Sequence, residues 1–213
     1  MNKVNYQKEL EKLIKCISDT PDKQYKLLLH ACCAPCSSYC LEYLSEYFEI
    51  TVLFYNPNID TDEEYEKRAE ELKRFIKEKE FKKHVDIIDM DHDPQVFYDA
   101  VKGYEHYEEG ADRCFLCYRL RMEMAAKLAA KEQYDYFCTT LSISPLKNAE
   151  AINSIGYELA DIYGVSWLPS DFKKNNGYLR SIELSKEYDL YRQNYCGCIF
   201  SKKKESPFSD CID

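Results

Sequence analysis

Residues 25–40, YKLLLHACCAPCSSYC, decide the fold. Residues 25–31 form a short apolar run of strand length, a cysteine loop follows at once, and the stretch CSSYCLEYLSEYF has the amphipathic spacing of a helix. This is a strand, loop, helix unit, and the chain downstream repeats the alternation. Residues 50–55, ITVLFY, read as a second apolar strand closed by NPNID. Residues 62–79 read as a long charged helix that turns Tyr65, Leu72, Phe75 and Ile76 inward. A weaker strand at 84–89, a short helix near 94–102 and a helix from about 112 to 132 come next; the last has an apolar face of Phe115, Leu116, Leu120, Met124 and Leu128. Then follow the strand YDYFCTT, the loop LSISPLKN, a helix at 148–163 and a final strand, GVSWL. Upstream, Leu10, Leu13, Ile14 and Ile17 mark a peripheral helix over 5–18, ended by the segment from Asp19 to Asp22 with Pro21. Strands separated by helices of this length pair in parallel through right-handed crossovers, which predicts a three-layer α/β/α sandwich with a mostly parallel sheet. The polar stretch after Trp167 is too short for a second domain. The expectation is one domain over 1–213, with a core of about 25–170 and a helical and loop extension of about 171–213 completing the active site.

Composition narrows the class. The chain has 213 residues, 45% hydrophobic and 31% charged, which excludes disordered and collagen-like architectures. No run approaches the ~18 to 20 apolar residues of a membrane helix, and the charged N-terminus lacks a signal core, so a cytoplasmic location is expected. The 29 Lys and Arg against 38 Asp and Glu give a net charge of -9. Such a field repels polyanions at long range, and a nucleic-acid partner requires a local basic patch.

Eleven cysteines in a chain with no sign of export point to metal or redox chemistry before a disulfide framework. Seven are clustered: Cys32, Cys33 and Cys36 in HACCAPCSS, Cys114 and Cys117 in DRCFLCYRLR, and Cys196 and Cys198 in YCGC. Ligands of open parallel sheets bind beyond the carboxyl ends of the strands, where both the HACC and TTLSISPLK segments fall. A helix N-terminus after Cys33 favours thiolate. Cys114 and Cys117, three apart at a helix start, share a face and can ligate one metal or cluster. Spacing does not separate zinc from iron–sulfur. Cys196 and Cys198, flanking Gly197, suit a strained, readily reduced disulfide or two more ligands, and the redox role is favoured. Cys16, Cys40, Cys138 and Cys211 stand alone, and packing is the better reading for Cys40 and Cys138. His30 serves equally well as a ligand, a proton donor or a loop anchor. In the segment Asp91, His92 and Asp93, helix capping is favoured over a hard-metal site.

HACCAPCS, YNPNI, RCFLCYRLR, TTLSISPLKN, DFKKNNGYLRS and LYRQNYCGCIFS stand in an order that resembles the QueH-type epoxyqueuosine reductases, from about Leu27 to Ser201. The resemblance implies a HUP-type, Rossmann-like α/β fold and the last step of queuosine synthesis on tRNA: an oxidoreductase, independent of cobalamin, that removes the oxygen of the epoxycyclopentane ring. It implies a 4Fe-4S cluster on Cys32, Cys33, Cys114 and Cys117, an adjacent iron ion, and a redox-active Cys196–Cys198 pair. For the adjacent metal, Cys36 and His30 are the candidates, with one of the Cys196 and Cys198 thiols. Two-electron deoxygenation needs a second redox group beside a one-electron cluster, and a Lewis-acidic metal stabilises the leaving oxygen.

The substrate so implied carries epoxyqueuosine in a single-stranded anticodon loop, which permits flipping the base onto a residue such as Tyr178, Tyr191 or Tyr195. Lys173, Lys174, Arg180, Arg192 and Lys202 to Lys204, with Arg113, Arg119 and Arg121, are the expected basic patch. An electron donor, not identifiable from sequence, is a further expected partner, and no membrane is expected. Two alternatives stand beside this reading. An ATP-dependent PP-loop tRNA sulfur-transfer enzyme would need a glycine-rich phosphate loop where CCAPCSS has no glycine. A non-catalytic, zinc-stabilised module would be colourless.

Overall fold

The computed structural model describes residues 4–20 and 23–202. In chain order the elements are α1 (Tyr6–Ser18), β1 (Tyr25–Ala31), α2 (Ala34–Leu44), β2 (Phe48–Phe54), α3 (Asp62–Glu78), β3 (Val85–Asp89), α4 (Pro94–Ala100), α5 (Asp112–Lys131), β4 (Tyr136–Thr139), α6 (Ala149–Tyr163), β5 (Ser166–Trp167) and α7 (Gly177–Glu187). Short 3-10 turns cover Thr140–Ile143 and Ile199–Ser201. The five strands form one sheet in the order β3-β2-β1-β4-β5, every pair parallel. The α/β sandwich expected from the alternation is the fold observed.

Strand order follows from burial. β1 is central, and Leu27, Leu28 and Leu29 are all fully buried, as a strand covered on both faces requires. Each such side chain contributes roughly 1.5–3 kcal/mol relative to exposure. Leu29 lies opposite Val52 of β2 and Cys138 of β4, and His30 opposite Leu53 and Thr139. Right-handed crossovers place α2 and α3 on one face and α5 and α6 on the other. Accordingly α2 packs on α3 and α7, and α5 on α4 and α6.

Three local differences from the pattern have physical causes. α2 stops at Leu44, and β2 begins at Phe48 because that ring is fully buried in the sheet core. β5 is only two residues long, ending in Trp167, whose ring lies against Gly156 of α6. The buried face of α5 is Arg113, Cys117, Tyr118, Arg121, Met122, Ala125, Ala126 and Ala129, while Phe115, Leu116, Leu120, Met124 and Leu128 are only half-buried. Ala125, Ala126 and Ala129 let this helix approach the core closely beside Tyr118 and Met122, and the five expected apolar residues flank the contact.

The lone cysteines and the DHDP segment also find their places. Cys40 and Cys138 are buried and Cys16 is exposed. Cys211, Lys203, Lys204, Pro21 and Asp22 lie outside the described residues. Asp93 caps α4 by accepting from the Gln95 amide at 3.1 Å. No helix among the described residues is long and apolar enough to cross a membrane.

Candidate active site

The strand order reverses between β1 and β4, from which the chain builds outward to either side, and the crevice at such a switch point is where open α/β folds bind ligands. Cys32 leaves β1 there, and Thr140 leaves β4; their Sγ and Oγ1 atoms are 3.9 Å apart. Cys33 is the N-cap of α2, with Pro35 in the first turn, so Cys36 follows three residues later on the same helical face. The Sγ atoms of Cys32, Cys33 and Cys36 lie within 4.8 Å of one another. Three thiols so close share protons. Hydrogen bonds from Cys33 and Cys36, with the nearby charges of Lys147 and Arg121, hold the Cys32 thiol well below its usual range against burial. Those same hydrogen bonds, with burial, push the Cys36 thiol up.

A second thiol group faces this one. Cys114 and Cys117, on the first turns of α5, line a cavity together with Cys196, Cys198, Asn58, Arg113, Arg121 and Lys147. The Gly110 amide donates to Cys114 Sγ at 3.2 Å. Burial pushes the Cys117 thiol up to about 12 and raises Cys198 as well. Cys196 is half-buried and also lines an adjoining cavity of about 470 Å³ with Pro35, Cys36, Lys147, Tyr178, Arg192 and Gln193. It therefore borders both spaces.

The loop carrying Cys196 and Cys198 is strapped to α3. Arg68, 1% exposed, donates from Nε to Glu64 at 2.7 Å and from Nη1 to the Cys196 carbonyl at 3.1 Å. The Asp60 amide donates to the Gly197 carbonyl at 3.1 Å, and Tyr195 donates to the Asp60 carboxylate at 2.8 Å. Gly197 has φ +117°, and a Cβ there would stand 3.0 Å from Arg68 Nη1 and 3.1 Å from Ile59 Cγ1. Both the backbone angle and the lack of room call for glycine.

Of the expected site residues, the seven cysteines meet at this crevice in two groups, with Cys36 beside Cys32 and Cys33. His30 stands apart. Its ring is fully buried with Nδ1 2.8 Å from Thr139 Oγ1 and Nε2 3.2 Å from the Tyr55 carbonyl, so both nitrogens are engaged. A carbonyl only accepts, which makes Nε2 the protonated nitrogen and Nδ1 the acceptor. Burial and the charge of Arg121 lower its pKa to about 3, and the imidazole is neutral.

Most of the expected basic-patch residues that the structure describes are ion-paired or buried. Lys173 and Lys174 reach Asp171, Arg180 reaches Glu42, Arg119 reaches Glu158, and Lys202 reaches Asp60. Arg113 and Arg121 are buried. Arg192 is the exposed arginine of the set that lines the larger cavity, and its Nη1 donates to Ser185 Oγ at 3.1 Å. Among the stacking candidates Tyr178 and Tyr195 line that cavity, whereas Tyr191 instead bonds Glu64 and lies under Lys67.

Sequence reasoning missed Arg68, Asn56, Asn58 and Gln193, and gave Lys147 no role. Arg68 carried a readable signal: it falls in the buried stripe of Tyr65, Ala69, Leu72 and Phe75, where an arginine needs a buried partner. Asn56 anchors the end of β1 by donating to the Ala31 carbonyl at 2.8 Å. Of the six buried polar atoms without a hydrogen-bond partner among the described residues, Asn56 Oδ1, Asn58 Oδ1, Arg121 Nη2 and Gln193 Oε1 belong to this neighbourhood. Each orphan costs roughly 1–3 kcal/mol unless a bound group satisfies it. Clustered thiols suit a thiophilic metal or an iron–sulfur cluster, and Arg121 Nη2, a buried donor without an acceptor among the described residues, suits the negative charge of a thiolate-bound group, so the residues fit such a group.

A family model described as epoxyqueuosine reductase QueH matches residues 27–204. Relatives carrying that same name include one from Streptococcus pyogenes serotype M1, 41% identical over 95% of this chain and 80% of the relative's length. One from Staphylococcus epidermidis is 42% identical over 95% of this chain and 87% of its own. One from Thermotoga maritima is 37% identical over 82% and 89%. The cysteine-lined switch point thus sits within a match that spans nearly all of the sheet and both thiol groups, and the chain belongs to the epoxyqueuosine reductase QueH family.

Proposed function

We propose that this chain deoxygenates epoxyqueuosine in tRNA to queuosine without cobalamin, using metal-bound and redox-active cysteines. The observation that carries the reading is the convergence of seven thiols on one crevice that opens into a cavity of about 470 Å³. The relatives' name, epoxyqueuosine reductase, supports the choice of substrate and reaction. Cys32, Cys33, Cys114 and Cys117 are the residues that would hold a 4Fe-4S cluster, and Cys36 would face an adjacent iron ion. When bound, these groups supply single electrons and Lewis acidity for the departing oxygen.

The chain's own side chains account for the rest. The modified base enters the larger cavity between Tyr178 and Tyr195, whose rings suit stacking, while Arg192 holds a backbone phosphate at the mouth. Gln193 Oε1, a buried acceptor with no donor, is placed to accept from a hydroxyl of the cyclopentane ring. Lys147 borders both cavities and directs an N–H at the epoxide oxygen as it departs. Opening the epoxide to an alkene consumes two electrons and two protons and releases water. Oxidation of Cys196 and Cys198 to a disulfide yields the same two electrons and two protons, and an external donor restores the thiols.

Anaerobic protein reconstituted with iron and sulfide, incubated with dithionite and tRNA bearing epoxyqueuosine, should yield nucleosides that have lost one oxygen, as read by mass analysis. A protein that takes up iron and sulfide yet leaves the epoxide intact with dithionite would refute the substrate assignment. A colourless protein carrying zinc would refute the cluster.

A further inference from the structure

The cations around the thiols, three buried arginines and the half-buried Lys147, fall into two kinds. Arg68 is paired with Glu64, and Arg113 donates to the carbonyls of Glu105 and Tyr107. Arg121 differs. It is 1% exposed, and among the described residues its only hydrogen bond runs from Nε to the carbonyl of Cys117 one turn back on its own helix, and its Nη2 has no partner. Neither Arg121 nor Lys147 meets a carboxylate among the described residues, and both line the cavity formed by Cys114, Cys117, Cys196 and Cys198. The one acidic residue on that lining, Glu109, is exposed.

A buried guanidinium without a counter-ion costs several kcal/mol, so a fold that keeps one must supply the negative charge another way. Apart from the exposed Glu109, the groups on this lining that become anions on binding a metal are its four thiols.

We infer that Arg121 and Lys147 are the built-in counter-charges of the thiolate-bound group and set its affinity for electrons. The inference rests on the cluster reading above. An oxidised 4Fe-4S core holds two positive charges and four thiolates bring four negative, leaving two negative charges that these two side chains balance. Adding one electron makes a third negative charge within reach of both cations, which favours reduction. Net charge and hydrogen bonds to the sulfurs are the levers by which a protein moves such a potential. Arg121 applies both, since its free Nη2 is a donor without an acceptor. These are positioning and tuning roles, distinct from holding iron.

The test is the midpoint potential of the reconstituted full-length protein, followed by the electron paramagnetic resonance of the reduced cluster. Arg121→Gln keeps a hydrogen-bond donor and loses the charge; it should load iron and sulfide as the unaltered chain does but reduce with at least a tenfold smaller equilibrium constant, a shift of 59 mV toward negative values for one electron. Lys147→Met should shift the same way, and Arg121→Lys should stay near the original potential. If Arg121→Gln folds by circular dichroism but takes up no iron while Arg121→Lys does, the counter-charge is supported as a requirement for assembly. Should Arg121→Gln not fold, Lys147→Met decides. Unshifted potentials in both loaded neutral variants would overturn the inference. Failure of the unaltered protein to form any cluster is a separate result, which removes the cluster reading itself.

Discussion

At His30 the central strand ends in an imidazole that is fully buried and held from both sides, by Thr139 of β4 and by the carbonyl of Tyr55 after β2. Its pKa is lowered from 6.5 to about 3 by burial first and by Arg121 second. Above the unfolded value both states are neutral and pH changes nothing at this residue. As pH falls through that value the unfolded chain binds a proton that the native state refuses, so stability is lost progressively until about pH 3. Between about pH 7 and about pH 5 this residue should remove on the order of 2 kcal/mol from the unfolding free energy. Urea titrations at both values check it: His30→Gln should show a loss smaller by that amount. An equal loss would mean that the folded protein protonates His30. The sequence placed His30 at a strand end beside the cysteines and left ligand and anchor equally open. The choice depended on Thr139 and Tyr55, which only strand order brings to the ring. The seven clustered cysteines were legible because spacing alone marks them; the orphaned Asn58 and Gln193 were not, since an amide's lack of a partner is a property of the assembled crevice.

At the scale of elements, the alternation of strands and helices gave the sheet and its layers, while helix faces were less secure. The large apolar residues of α5 suggested one face, and the structure buries another, built from three alanines, two arginines, Cys117, Tyr118 and Met122. Hydrophobic size predicts burial poorly where a helix must come close to a sheet and also deliver functional groups to its edge. α7 poses the same problem of close approach. Its first residue, Gly177, lies so near α2 and the preceding loop that a Cβ would stand 2.0 Å from the Phe172 carbonyl oxygen and 2.4 Å from Tyr39 Cε1. Gly177→Ala must push α7 away from α2, at a cost of about 1–3 kcal/mol for overpacking. Tyr178 and Ser181, on the same helix, line the larger cavity. The variant should therefore raise KM for tRNA several-fold while kcat changes less, with a lowered urea midpoint. An unchanged KM in a destabilised variant would mean that α7 does not shape the substrate cavity.

Across the whole molecule, the net charge of -9 was plain from composition, but the placement of the positive charges was not. Basic residues concentrated in the C-terminal third suggest a patch for RNA. Folding brings each of several to a carboxylate from a distant or neighbouring segment, as Arg180 to Glu42 and Arg119 to Glu158. A bridged cation releases few counterions when a phosphate arrives, because its charge is already balanced. Recognition by this protein should then depend on shape and stacking in the cavity and on few phosphate contacts. For single strands each contact lowers the logarithm of the binding constant by about 0.7 per tenfold rise in salt. Arg192, exposed at the larger cavity and without a carboxylate partner among the described residues, should account for one such contact. Binding of the anticodon stem-loop measured across a salt series should accordingly lose about 0.7 of its slope in Arg192→Ala. Arg119→Ala, which removes a cation already paired with Glu158, should leave the slope unchanged. If the two variants lose equally, the surface bridges open on binding, and the anion-facing surface of this acidic protein is wider than its free charges indicate.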